Sequence, residues 1–228
     1  MDDPAPDVAR YPSTIAETFE HELVVKKSRF IAHLAPARST EQADAVIAAV
    51  RKQYWDARHH CVAMVIGTHA DQQRSSDGGE PSGTAGVPML EVLRRRELTD
   101  LVAVVTRYFG GVKLGAGGLV RAYSSAVSEA LDLVPVVQRT PAVRVSVDVP
   151  HPDAGRLQGV LRDWAAARDA QVAGVDYAAN ATITLLVPPA RLDDLDASLA
   201  AASAGRLVAE RGTTVVMEHL SGAHGDTR

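Results

Sequence analysis

A single cysteine, Cys61, is all that the 228-residue chain carries. That excludes an internal disulfide framework and any cysteine-rich zinc cluster. No run of eighteen apolar residues occurs, so no segment reads as a membrane span. The opening Met1-Asp2-Asp3-Pro4 is acidic and has no apolar h-region, which argues against a secretory signal. These absences predict a cytoplasmic protein. No internal repeat is visible. Lysine is scarce, outnumbered by arginine twenty to four, so arginine clusters alone are a weak guide to binding. A net charge of −4 argues against a broadly basic nucleic-acid coat.

The charge is unevenly spread. Residues 15–135 balance fourteen basic against fourteen acidic groups, so the excess acid lies in the ends. A local cationic patch in that central stretch is therefore less opposed than the total suggests. With 46% apolar and 23% charged residues, the chain reads as an ordinary folded protein of one large or two small domains.

Nine of the seventeen glycines fall between Gly78 and Gly118, a concentration typical of loops that hold something. Residues 1–14 read as a disordered lead-in. A β-hairpin is expected next, with strands Ile15 to Val25 and Arg29 to Ala35 around Lys26-Lys27-Ser28. Ser39 and Gln42 form a capping-box pattern ahead of an apolar helical stripe. Cys61 to Ile66 and Leu101 to Val105 are continuous apolar runs, read as buried strands. A helix begins near Pro88, and another follows the second glycine loop. Pro135 and Thr140-Pro141 suggest a boundary between a domain at 15–136 and another at 140–218. The second domain reads β-α-β-β-α-β, the ferredoxin-like split unit. Residues 219–228 read as a flexible tail.

Two loops carry candidate chemistry. The first, Ser75 to Gly86, places Asp77, Glu80 and Ser82 among glycines. Such a group suits a divalent cation or an acid–base pair, or else a turn whose side chains bond their own amides. No histidine or further carboxylate completes a metal site, so no metal or other cofactor is expected. The second loop runs from Arg107-Tyr108-Phe109 through Lys113, Gly115, Gly117 and Gly118 to Arg121. It leaves a strand and enters a helix, whose free first-turn amides would make a phosphate or anion site at Gly117-Gly118. Arg107, Lys113 and Arg121 would supply countercharge, and Tyr108 and Phe109 would stack on a base. The structural alternative is a tight turn with the aromatics in the core. His59, His60 and Cys61 adjoin, but adjacent strand residues face opposite ways, and a buried cysteine usually acts as a small hydrophobe.

The string Ser76 to Gly86, with Val104 to Gly115, Ser28-Arg29-Phe30-Ile31 and Asp56 to Cys61, resembles the signature of the IMPACT family, in its bacterial YigZ branch. The four blocks stand in the family's order across residues 15 to 217. The family's acidic loop commonly reads Ser-Asp-Asp-Gly-Glu-Pro, and here Gly78 occupies the second acidic position. If that pair held a metal in relatives, one ligand is missing here.

The resemblance implies an α+β protein of two domains. The first would be a ribosomal-protein-type α/β domain with a left-handed βαβ unit, similar to domain IV of elongation factor G. The second would be ferredoxin-like, similar to domain V of that factor. The resemblance leaves the biochemical role of the bacterial branch open. The cluster of Arg107, Lys113 and Arg121 around a helix start, on a fold resembling a ribosome-binding module, predicts a non-enzymatic binding protein that contacts RNA, the ribosome or a translation partner through the glycine-rich face of the first domain. The alternative is a small hydrolase or transferase using Asp77, Glu80 and His59. A protein-docking surface on the ferredoxin-like domain is a third expectation.

Overall fold

The structure, a computed structural model, describes residues 11–220. The chain divides into two compact units, 12–138 and 139–218. Of the expected lead-in and tail, residues 1–10 and 221–228 lie outside the described residues. Thr14, placed in the lead-in by composition, is buried and opens a strand.

The first unit is built from β1 (Thr14–Ile15), β2 (Phe19–Val25), β3 (Ser28–Pro36), α1 (Thr40–Gln53), β4 (His59–Ile66) and β5 (Gln72–Ser76). It continues through α2 (Gly86–Arg95), β6 (Leu101–Tyr108) and α3 (Ala116–Leu133). Five strands form one sheet in the order β2-β3-β6-β4-β5. Both β3 and β4 run antiparallel to β6, so they are parallel to each other, with α1 as their crossover and β6 between them. The single long first strand expected from Ile15 is interrupted. Ile15 is 2% exposed and pairs through β1 with Val136, and only β2 joins the hairpin.

The continuous apolar runs have a simple cause: this sheet is covered on both faces. Phe30, Cys61, Ala63, Ala103 and Val105 pack toward α2 and α3. Their strand neighbours Val62, Met64, Val102 and Val104 pack toward α1. Successive residues point to opposite faces, so burial on both sides erases the alternation. Helix α1 starts where its cap pattern placed it, with Ser39 Oγ accepting from the Gln42 amide. The return arm of the box shifts by one residue, because Gln42 Oε1 accepts from the Arg38 amide.

Strand β5, Gln-Gln-Arg-Ser-Ser, carries no apolar residue and was not expected. It is an edge strand whose side chains are mostly exposed, so it is held chiefly by backbone pairing with β4, with Arg74 also paired to Asp44 of α1.

The second unit contains most of β7 (Val136–Val149), then α4 (His151–Ala166), β8 (Gln171–Tyr177), β9 (Ala181–Val187), α5 (Leu192–Ser203) and β10 (Glu210–Leu220). Its strands are ordered β10-β7-β9-β8, the ferredoxin-like arrangement read from the sequence. Val145, Val147, Val149, Ile183 and Leu185 point into a core closed by Leu157 and Trp164 of α4 and Leu195 of α5. Arg144 and Asp148, between them, are exposed. One covered face gives alternation. The chain passes between the units inside β7, so Thr140 and Pro141 lie in a strand and not in a linker.

Gly155 and Gly159 sit exposed in α4, and an added Cβ at either meets nothing within 4 Å. Gly155→Ala and Gly159→Ala should each raise unfolding free energy by about 0.5–1 kcal/mol, measured by urea titration. Gly110→Ala should do the reverse. Its Cβ would stand 2.0 Å from the Lys27 carbonyl carbon, so the loop must be displaced.

Candidate functional site

The two glycine-rich loops meet over the sheet, and what joins them is a buried ion pair. Arg107, near the end of β6, donates from Nη1 to Glu80 Oε1 at 2.7 Å. Their side chains are 7% and 3% exposed. The Tyr123 hydroxyl, from α3, donates to the same carboxylate oxygen at 2.7 Å. Burial, with the nearby Cys61 and Glu80, raises the phenol well above its ordinary range, so it stays a donor. The guanidinium packs against Phe30 at 5.3 Å and Phe109 at 5.6 Å. Ser28 Oγ stands 3.5 Å from Arg107 Nη2 and accepts from the Gly110 amide at 3.1 Å. One position remains open: Arg107 Nε is buried and has no acceptor among the described residues.

This geometry reassigns two residues. Glu80 and Arg107, expected in separate acid–base and anion sites, are partners of each other. Asp77 is equally committed. Its Oδ2 accepts from the Gly83 amide, and its Oδ1 accepts from the amides of Ala85 and Gly86 at the start of α2. Burial alone would push its carboxyl up, but the three amide hydrogen bonds outweigh that and hold it below the usual carboxylate range. Asp77 is thus the cap that the local sequence of α2 lacks, supplied from eight residues upstream. Ser82 is exposed in the same loop.

Gly78 also has a structural account. Its φ is +56°, and a Cβ there would lie 2.2 Å from the His60 carbonyl oxygen. In this backbone a side chain at position 78 runs into β4, so a carboxylate placed there would not join Asp77 and Glu80. Among the described residues no cluster of three histidine, cysteine or acidic side chains could hold a metal ion.

The histidines and the thiol separate as strand geometry requires. His59 Nδ1 lies 3.3 Å from the Gly78 carbonyl, and His60 Nδ1 lies 3.1 Å from Thr106 Oγ1. Burial holds His60 below the ordinary imidazole range. Cys61 is fully buried, donates to the Asp77 carbonyl, and burial pushes its thiol up to about 12. The Arg94-Arg95-Arg96 run ends α2, with Arg94 paired to Glu91 and Arg96 to Asp132.

Concavities flank these loops among the described residues. A groove of about 350 Å³ is lined by Leu23, Val25, Lys26, Leu114, Arg121 and Glu129 among others. It runs beside Gly118, at the start of α3, whose N-cap Gly115 offers no capping side chain. A cleft of about 420 Å³ is lined by Asp56, Arg58, His59, Arg107, Tyr108 and Phe109. Sequence reasoning missed Lys26 and Lys27 as site residues. They form the tip of the β2–β3 hairpin, against which the Gly110 backbone packs. Their adjacency in sequence was visible, but their approach to the second loop was not.

Two measurements check the buried cluster. Glu80→Gln should cost about 3–5 kcal/mol of unfolding free energy, because Arg107 is left charged and unpaired in the interior. A further Arg107→Met should restore part of that loss in the same urea titration. Native Cys61 should resist iodoacetamide at pH 8 and react at once in denaturant, followed by mass spectrometry, because its thiolate is disfavoured and covered.

Residues 26–131 match the model of the Impact N-terminal domain, and residues 147–206 match a domain of unknown function, DUF1949. The chain is 38% identical over 185 residues to the IMPACT family member YigZ of Escherichia coli, covering 80% of this chain and 89% of that one. It is 49% identical over 150 residues to the family member YvyE of Bacillus subtilis, covering 66% and 69%. A crystal structure of a hypothetical protein superposes with a TM-score of 0.59 at 35% identity, over 90% of this chain and 99% of that one. With its four sequence blocks gathered around one buried ion pair, the chain belongs to the IMPACT family.

Proposed function

We propose that the protein is a binding protein whose first unit contacts RNA, free or within the ribosome, through the glycine-rich face around the start of α3. The observation that carries this reading is the hairpin tip. Lys26 and Lys27 both have positive φ, +46° and +67°. A two-residue hairpin turn needs that geometry, and it favours Asn-Gly. Left-handed backbone costs a non-glycine residue about 1–2 kcal/mol. Two of the chain's four lysines therefore sit in a turn that opposes them, which points to a use for their charge.

Both lysines are exposed, as are Lys113 and Arg121. None of the four forms an ion pair among the described residues, and Lys26 and Arg121 line the same groove. Gly115, Gly117 and Gly118 leave the first-turn amides of α3 without a side-chain cap, adding partial positive charge at the same place. The commitment of Asp77 and Glu80 to structural bonds favours binding over acid–base chemistry at these loops.

Fluorescently labelled single-stranded RNA should bind with a log K against log salt slope of about −2 to −3, as expected for three or four phosphates. The double variant Lys26→Glu/Arg121→Glu should bind at least about tenfold more weakly, with a shallower slope and an unchanged melting temperature. No binding at about 20 mM salt, together with no co-sedimentation with ribosomes, would overturn the reading.

A further inference from the structure

We propose that the cleft between the start of β4 and the end of β6 is a second ligand site, which takes a nucleotide unit: a phosphate joined to a planar base. It is separate from the lysine–arginine groove and stands without it. His59 and Arg107 are register partners in adjacent strands. Asp56 and Arg58 precede one strand and Phe109 follows the other, so the cleft is framed by rigid elements. Its volume of about 420 Å³ falls in the range of small-molecule pockets, about 300–1,000 Å³.

The lining supplies both halves of such a ligand. Arg58 is exposed and forms no ion pair among the described residues, so its guanidinium is available to a phosphate. His59 Nδ1 faces a carbonyl oxygen, which only accepts, so that nitrogen carries the proton. Its Nε2 has no protein partner among the described residues and is left for the ligand. Phe109 is 57% exposed, yet its ring is anchored on the Arg107 guanidinium. An exposed aromatic that is already held in place is a stacking surface prepared for a base. Tyr108 is fixed beside it, its hydroxyl donating to Asp56 Oδ1 at 2.7 Å. The second Asp56 oxygen takes no hydrogen bond from the described residues, so it can accept from a ribose hydroxyl or a base amine. Finally, Arg107 itself lines the cleft, is 6% exposed, and keeps a buried Nε–H with no acceptor among the described residues. A simple carboxylate or a sugar phosphate would use the cation and leave the ring idle.

The test is titration calorimetry on the full chain with AMP, CMP, ribose 5-phosphate and adenosine. The two nucleotides should bind at least about tenfold more tightly than either fragment. Phe109→Ala should reduce AMP affinity to that of ribose 5-phosphate and leave ribose 5-phosphate unchanged. Arg58→Ala should weaken both. Arg58 is exposed, so Arg58→Ala should leave thermal unfolding unaltered. Phe109→Ala also uncovers one face of Arg107, and its retained ribose 5-phosphate affinity shows that the cleft stays folded. A 5′-phosphorylated RNA trinucleotide distinguishes the ligand's source. Binding tighter than AMP identifies a chain end, and weaker or equal binding identifies the free nucleotide. The Lys26→Glu/Arg121→Glu variant should keep AMP binding while losing RNA, so failure of one site is distinguishable from failure of the other. Absence of nucleotide binding above about 1 mM, or equal AMP affinity in Phe109→Ala, would overturn the assignment.

Discussion

The ion pair between Arg107 and Glu80 is the contact on which the glycine-rich face of the first unit depends. It links the end of the central strand β6 to the acidic loop, and Tyr123 brings α3 to the same carboxylate. A guanidinium in the interior is costly unless its charge is balanced and its donors are met. Here the charge is balanced by Glu80, Nη2 approaches Ser28, and two phenyl rings cover the faces. Ser28 passes the constraint on, because it also takes the Gly110 amide and so fixes the second loop against the β2–β3 hairpin. One buried charge thereby positions two loops, a hairpin tip and a helix start.

The glycines of this region serve that closeness. Gly110 lets backbone touch backbone at Lys27, and Gly78 lets the acidic loop approach the His60 backbone of β4. Asp77 then fastens the loop to the start of α2 through three amides. Asp77 and Glu80 are thereby spent on internal partners, while Lys26, Lys27, Lys113 and Arg121 at the surface form no ion pair among the described residues. On the proposed reading, those unpaired surface cations are what would let the face take phosphate despite a net charge of −4.

The two units show how layer count writes itself into sequence. Where helices cover both faces of the sheet, β4 and β6 read as unbroken apolar runs. Where they cover one, β7 and β9 alternate. Strand β5 left no such mark, because an exposed edge strand needs only backbone partners. The early break after Ile15 was equally hidden, since it arises from pairing with Val136, more than a hundred residues away.

By itself the sequence determined the element order, the ferredoxin-like second domain, the cap of α1 and the family. These follow from local periodicity, local hydrogen bonding and motif order. It also showed that residues 15–135 are neutral and glycine-rich. Only the tertiary structure decided who partners whom. Arg107 looked like a free cation and Glu80 like a free acid, because sequence displays residue types and not the 27 positions of separation that folding removes. Lys26 and Lys27 looked like an ordinary turn until Gly110 was found packed against it. Burial and long-range pairing decide whether a charged side chain is spent or available, and neither quantity is local.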